Sequence, residues 1–190
     1  MTLSIAVLLV VMPRLLGRHH RYSADAMLPA LNSAMRGADI TTALRTTHFL
    51  AQLAHESIEL TVWEERPWVS KDGRRYPDCY EGRADLGNIE PGDGARYHGR
   101  GPLQLTGRSN YRHYGQVLGL PLETHPELAL ALDVGFRVAA AYWGEHHLNE
   151  LADLDDIEGI TRRINGGVNG LKHRKAYLAR AIAAIAEPLT

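Results

Sequence analysis

The residue in this sequence best suited to chemistry is a glutamate in an apolar run. The stretch "AQLAHESIEL" (51–60) has the spacing of a helix and places Glu56 on one face with Phe49, Gln52 and Leu53. Apolar helix faces seldom hold a carboxylate without a reason. Three explanations are open at this point: a solvated residue at the helix edge, half of a metal site, or a catalytic acid in a partly dry cleft.

The metal site is the least favoured of the three. "HESIE" lacks the second histidine of the H-E-x-x-H motif and has Glu59 in its place. "YWGEHH" (142–147) fails as an H-x-x-E-H motif because Tyr142 stands where a histidine is needed. We therefore expect no metal and no cofactor.

A pair of adjacent carboxylates, Glu64 and Glu65, follows Glu56 and indicates a different chemistry. Glu65 lies nine residues further on, next to Glu64. A straight helix would separate positions nine residues apart by about 13 Å. An irregular turn after Leu60 would bring one carboxyl group back to roughly 6.5–9.5 Å, the separation at which an inverting glycosidase leaves room for water between acid and base. The residues alone leave open whether that turn forms.

Helical periodicity supplies the elements that must position these groups. It predicts helices over residues 23–35, 41–60, 107–118, 126–147, 154–164 and 171–186. Ser23 suits the N-cap of the first, and Thr41 or Thr42 that of the second, whose apolar face is predicted to include Leu44. Residues 66–102 are rich in glycine and proline and predict a long irregular segment of functional importance. The fold class is mostly α, with little or no β-sheet.

Length, charge and cysteine content limit the domain organisation and the kinds of partner. A length of 190 residues predicts a single domain over 1–190, and a net charge of −1 gives no electrostatic argument for a nucleic-acid partner. Cys79 is the only cysteine, so no internal disulfide forms, which suits a protein that folds in a reducing compartment. We expect a monomer.

The N-terminus carries eight consecutive apolar residues, Ile5 to Met12, before Pro13. This run is too short to span a bilayer, so no stable membrane insertion is expected. No basic residue precedes it and no clear cleavage site follows it. The pattern favours a buried first element of the domain, with an export signal as the alternative. We expect a protein made in the cytoplasm without a clear signal peptide.

Four separated motifs, in a fixed order, resemble one enzyme family. They are "FLAQLAHES" (49–57), "YEGRADLGN" (80–88), "GDGARYHGRGPLQLTGRSNY" (92–111) and "INGGVNGLKHR" (164–174). Together they are similar to glycoside hydrolase family 19, and specifically to its small phage-endolysin and bacterial lytic-enzyme branch. The resemblance implies a two-lobed, lysozyme-like helical domain with a central cleft, which hydrolyses the β-1,4 bond of an N-acetylated polysaccharide by inversion.

The same resemblance assigns roles to individual residues. It implies three catalytic residues, namely the general acid Glu56, the base Glu65 and the water-holding Thr106. Glu64 is the less favoured candidate for the base. It also implies four polar residues in the sugar-binding cleft: Gln104, Asn110, Asn165 and Arg174. Of these, Arg174 is expected close to the second glutamate.

The chain departs from the endolysin pattern directly after the acid. Those relatives usually continue "HES" with Gly-Gly-Phe, which would loosen the turn towards the base, whereas this chain has Ile58-Glu59-Leu60. Their usual Asn-Leu after the second glutamate is replaced by Arg66-Pro67.

Substrate preference is inferred from the resemblance. The small size, the absence of disulfides and the "YEGRADLGN" motif favour peptidoglycan, attacked in the periplasm after release, over chitin. A non-catalytic glycan-binding protein on the same fold is a further alternative, against which the intact Glu56, Glu65 and Thr106 argue.

Overall fold

The computed structural model describes residues 1–17, 20–66, 69, 73 and 75–186, so Pro67 lies outside the described residues. Nine α-helices form within these ranges: α1 (Ile5–Val11), α2 (Ala24–Gly37), α3 (Ala43–Glu56), α4 (Asp93–Arg96), α5 (Arg108–Leu118), α6 (Leu132–Glu145), α7 (Leu148–Asp153), α8 (Ile157–Asn165) and α9 (Leu171–Ala186). Short 3₁₀ helices span Pro13–Leu16, Asp78–Tyr80, Ala84–Leu86 and Pro126–Leu130. In this part of the chain, β-structure is limited to isolated bridges, which confirms the mostly helical fold class.

Side-chain caps fix where α2 and α3 begin. The Ser23 hydroxyl accepts a hydrogen bond from the Ala26 N–H (3.3 Å), and the Thr42 hydroxyl accepts one from the Arg45 N–H (3.2 Å). Both caps confirm the sequence prediction. The predicted end of the second helix at residue 60 is wrong, because α3 stops at Glu56. Leu44, expected on its apolar face, is 37% exposed.

Two further helix boundaries differ from the prediction. The single helix expected over 126–147 is a 3₁₀ turn followed by α6, with the extended Ala131 between them. Residues 148–153 form the separate short helix α7, and α8 begins only after Asp156, whose carboxylate accepts a hydrogen bond from the Gly159 N–H (2.8 Å). Apolar periodicity identified these segments but does not show where the backbone breaks.

Two of the three hydrophobic clusters in the described part of the chain define two lobes that share α6. Phe136 and Trp143 belong to the large cluster, which joins α1, α2, α3 and α9. Val134 and Val138 belong to the smaller cluster, which contains α5 and the buried Tyr97. Helix α6 therefore lies between the lobes and packs against both, as the resemblance implied for a two-lobed domain.

The apolar N-terminal run is part of the large cluster. Leu8, Val11 and Met12 are fully buried, and α1 packs against α9. The prediction of a buried first element is confirmed. Among the described residues, no helix combines the length and apolar character that crossing a bilayer demands.

Candidate active site

Glu56 is the last residue of α3 and is anchored by a buried cation from α9. The Arg174 guanidinium donates hydrogen bonds to the carboxylate of Glu56 and to the side-chain oxygen of Gln52, one turn earlier on α3. Arg174 is 1% exposed and Gln52 is fully buried, whereas the Glu56 side chain is 25% exposed. Because α9 packs along α3, the guanidinium binds Glu56 on its buried side, and the carboxylate still reaches solvent.

The chain reverses directly after Glu56 in a left-handed turn. Ile58, Glu59 and Leu60 have φ of 50°, 60° and 59°, in the region that favours glycine. The Ser57 hydroxyl stabilises the turn by donating to the Leu53 carbonyl (2.6 Å) and accepting from the Leu60 N–H (2.8 Å). The irregular turn that the carboxylate pair requires therefore forms, although at residues 58–60 rather than after Leu60.

Glu65 follows this turn, and its carboxylate accepts hydrogen bonds from two of the described residues. Its Oε2 accepts a hydrogen bond from the Gly99 N–H (3.2 Å), and its Oε1 accepts one from the Tyr80 hydroxyl (3.0 Å). Burial and, after it, the negative charge of Glu65 raise the pKa of Tyr80. Tyr80 consequently keeps its proton and remains a donor to Glu65 across the physiological range.

Glu64 points to a different set of partners. Its Oε1 lies 3.1 Å from His98 Nε2 and 3.7 Å from Arg100 Nε, and its Oε2 lies 4.0 Å from Arg21. Arg100 is nearly buried and also pairs with the Glu64 backbone in an isolated bridge. These contacts are typical of an ion-pair network that holds the structure together. They leave Glu65 as the better candidate for the base.

Glu56 and Glu65 line the same cavity, of about 560 Å³, together with Gln104. We call this the acid–base cavity. A neighbouring cavity of about 280 Å³, the Thr106 pocket, is lined by Gln104, Thr106 and Asn110. Since Gln104 belongs to both, the two cavities are adjacent parts of one cleft, which contains five of the seven predicted site residues. Their individual roles stay predictions.

Gly99 is the point on which the polar groups of the cleft converge. A β-carbon at Gly99 would lie 2.7 Å from Gln104 Oε1 and 3.2 Å from both Glu65 Oε2 and Thr106 Oγ1. These oxygen atoms therefore surround one small space above the Gly99 backbone. Such an arrangement of a carboxylate, a hydroxyl and an amide oxygen suits a bound water molecule.

Two predicted site residues take positions that differ from the expected ones. Arg174 pairs with Glu56 and Gln52, whereas the resemblance implied a place close to Glu65; its position in the first turn of α9 directs it to the end of α3. Asn165 is the exposed C-terminal residue of α8 and donates weakly to the Asn169 carbonyl (3.5 Å). It is not among the residues that line the acid–base cavity or the Thr106 pocket.

Sequence reasoning missed three residues that the structure places at the site. Tyr80 and Gly99 both lie inside motifs that carried the family resemblance, so their position in those motifs was an available signal. Gln52 was noted only as a neighbour of Glu56 on the predicted helix face. Its contact with Arg174 depends on how α9 packs against α3, which no pattern within α3 reveals.

Comparison with known proteins gives a consistent result. A profile of the family described as chitinase class I (glycoside hydrolase family 19) matches residues 19–160. A Haemophilus influenzae protein described as containing a glycosyl hydrolase family 19 domain is 31% identical over 182 residues, which cover 83% of this chain and 89% of the relative. An endochitinase of Arabidopsis thaliana is 33% identical over 150 residues, 77% of this chain but only 47% of that enzyme.

A solved structure shares the fold. Chitinase C from Streptomyces griseus superposes with a TM-score of 0.72, over 96% of this chain and 91% of that chain, at 21% identity. This likeness shows the lysozyme-like helical architecture and, at that identity, nothing finer. The chain spans about half the length of the matched Arabidopsis relative, so it corresponds to one part of that longer protein.

Proposed function

The chain belongs to glycoside hydrolase family 19 and is a glycoside hydrolase, and we propose that it cleaves the β-1,4 bonds of chitin-type polymers of N-acetylglucosamine. The relatives named for a substrate are chitinases, which reverses the preference for peptidoglycan that the sequence motifs alone suggested. The observation that carries the proposal is the acid–base cavity, in which Glu56 and Glu65 approach one space from the two sides of the left-handed turn.

The mechanism assigns one proton transfer to each carboxyl group. Protonated Glu56 gives its proton to the glycosidic oxygen as the bond to the anomeric carbon breaks. Ionised Glu65 takes a proton from a water molecule, whose oxygen attacks the anomeric carbon from the opposite face. Because the displacement is direct, the configuration inverts. The converging oxygen atoms of Glu65 and Thr106 above Gly99 support a shared hold on that water.

The polar side chains of the cleft suit an N-acetylated sugar. The amides of Gln104 and Asn110 donate and accept at once, which matches hydroxyl and acetamido groups. The Asn110 amide is already oriented by donating to the Thr106 carbonyl (2.8 Å), and the Gln104 amide by donating to the Gly101 carbonyl (3.0 Å). Arg174 fixes the acid rather than the base in this scheme.

Peptidoglycan is the second candidate, as a substrate for an enzyme of the endolysin branch. The edge of the acid–base cavity includes Arg14, whose side chain is 63% exposed, and the exposed Arg66. Peptidoglycan carries lactyl and peptide carboxylates that such cations attract, whereas chitin carries no charge. The exposed arginines at the edge of this cavity, of which Arg14 also lies near Glu59, are the feature that supports this second candidate.

One paired experiment tests both candidates. The protein is incubated with N-acetylglucosamine hexamer, with the anomers of fresh product followed by NMR, and in parallel with permeabilised Gram-negative cells whose turbidity is recorded. Cleavage of the hexamer to α-anomeric products supports the chitinase proposal and inversion. Clearing of cells without hexamer cleavage supports the peptidoglycan candidate. β-Anomeric products would refute inversion, and no reaction in either assay, with Glu56→Gln as the blank, would refute hydrolysis.

A further inference from the structure

Glu59 is a buried carboxylate that the proposed reaction does not use. It occupies the centre of the left-handed turn and is 5% exposed. It does not line the acid–base cavity, although both glutamates that do so are fewer than seven residues away along the chain. Burial of a carboxylate is unfavourable unless the group is hydrogen-bonded or ion-paired, so the partners of Glu59 indicate what it does in the structure.

Its partners come from two distant parts of the chain. Oε2 accepts a hydrogen bond from the backbone N–H of Arg14 (2.8 Å), just beyond α1. Oε1 accepts one from the Tyr177 hydroxyl of α9 (3.0 Å). The guanidinium groups of Arg14 and Arg180 lie 3.7 Å and 3.8 Å from Oε1. Burial, and then the hydrogen bond to Glu59, raise the pKa of Tyr177, so its hydroxyl stays a donor.

The turn needs such a hold because its backbone is unfavourable. Ile58, Glu59 and Leu60 all carry side chains in left-handed conformations, which cause a steric conflict between Cβ and the following carbonyl oxygen. Strained backbone of this kind persists only where the surroundings impose it. Leu60 is fully buried in the large cluster, and the ion pairs and hydrogen bonds of Glu59 add polar tertiary contacts at the middle of the turn.

The same helix holds both sides of the acid–base cavity. Helix α9 supplies Arg174, which binds the acid Glu56, and Tyr177 and Arg180, which bind Glu59 in the turn that leads to Glu65. A shift of the turn relative to α9 would thus change the position of the base while leaving the acid where it is.

We propose that Glu59 is a positioning residue for catalysis: its buried carboxylate fixes the left-handed turn to α9 and to Arg14, and thereby sets the position of Glu65 relative to Glu56. The proposal rests on the proposed function, in which Glu65 is the base. Glycine adopts a left-handed backbone without strain, and here the contacts of Glu59 stabilise that backbone instead.

The test compares Glu59→Gln and Tyr177→Phe with the wild type on N-acetylglucosamine hexamer. The glutamine side chain has the same volume, but its amide group turns a donor towards one of the donors that now bind the carboxylate. The control is Asp153→Asn, which removes the negative charge and one acceptor of the bidentate pair with Arg45 (2.7 and 2.9 Å) at the opposite end of α3. All variants are assayed well below the melting temperatures that circular dichroism gives for them.

Glu59→Gln should lower kcat by about 10- to 100-fold, the loss typical of a catalytic group displaced by about 1 Å, and leave KM within about two-fold. Tyr177→Phe should lower kcat less. The double variant should be no worse than Glu59→Gln alone, because both changes act on the same Tyr177–Glu59 hydrogen bond. Asp153→Asn should lower the melting temperature without changing kcat.

Other outcomes of the same assays would contradict the proposal. A folded Glu59→Gln variant with wild-type kcat would overturn the proposal, as would a loss of kcat of the same size in Asp153→Asn. If Glu59→Gln does not fold, Tyr177→Phe decides: unchanged kcat rejects positioning. If the wild-type protein itself does not cleave the hexamer, the proposed function is rejected, and the variants are then not compared.

Discussion

Replacing Gly99 by alanine should reduce activity strongly while leaving the fold nearly as stable as before. Gly99 is buried and lies between Glu65, the proposed base, and Thr106, the residue proposed to hold the water. Its φ lies outside the left-handed region, so alanine adopts the backbone without strain. The only conflict comes from the added methyl group.

The size of the effect follows from what that methyl group meets. The new β-carbon would lie 2.7 Å from Gln104 Oε1 and 3.2 Å from Glu65 Oε2 and Thr106 Oγ1, closer than ordinary van der Waals contact. All three atoms are ends of side chains, which move aside at little expense to stability. A movement of about 1 Å in a catalytic group lowers the rate by about 100-fold, and the methyl group also fills the space for the water.

The assay is kcat on the hexamer together with thermal unfolding. Gly99→Ala should lose at least about 10-fold in kcat, with a change in unfolding free energy below about 1 kcal/mol. The matched control is Gly144→Ala in α6, where nothing lies within 4 Å of the added carbon. This variant should gain about 0.5–1 kcal/mol of stability and keep full activity. A Gly99→Ala enzyme with wild-type kcat would show that the Glu65–Thr106 space is not where the reaction takes place.

Three further predictions follow from the site and the fold. Glu56→Gln should lower the hydrolysis rate by about 10²–10⁴-fold without unfolding, and a variant with half the wild-type rate would remove Glu56 from the mechanism. Glu65→Ala should lose most activity and recover part of it with added azide or formate, whereas Glu64→Ala should stay active but melt earlier; the reverse pattern would make Glu64 the base. Deleting residues 1–13 removes several fully buried side chains, at about 1.5–3 kcal/mol each, and should prevent stable folding, unless thermal unfolding shows a truncated protein as stable as the full chain.

The longer helices were predictable because their apolar periodicity survives in the structure, whereas the short helices α4 and α7 were not predicted. The caps at Ser23 and Thr42 and the bounds of α9 match the sequence prediction. The breaks within apolar segments were not predictable, because a 3₁₀ turn and an α-helix bury the same residue types. Pro126 opens such a turn ahead of α6, where the pattern alone indicated one continuous helix.

The sequence predicted which candidate site residues lie together in the cleft better than it predicted their contacts. Family motifs identified Glu56, Glu65 and Thr106, and the structure places them in one cleft. The partner of Arg174 was not predictable, since it depends on the rotation of α9 against α3. The role of Glu59 was hidden for a similar reason: its partners are 45 and 118 residues away in sequence.

The left-handed turn connects these observations. A chain with glycines after the acid reaches the base through a turn that its own backbone tolerates. This chain makes the same reversal with Ile58, Glu59 and Leu60, so the preference for that backbone must come from elsewhere in the molecule. Glu59 ties the turn to α9 and to Arg14, three residues beyond α1, and this joins the geometry of the acid–base cavity to the packing of the N-terminal helix. Changes in the buried surface of α1 should therefore reach the position of Glu65 through the Arg14–Glu59 hydrogen bond.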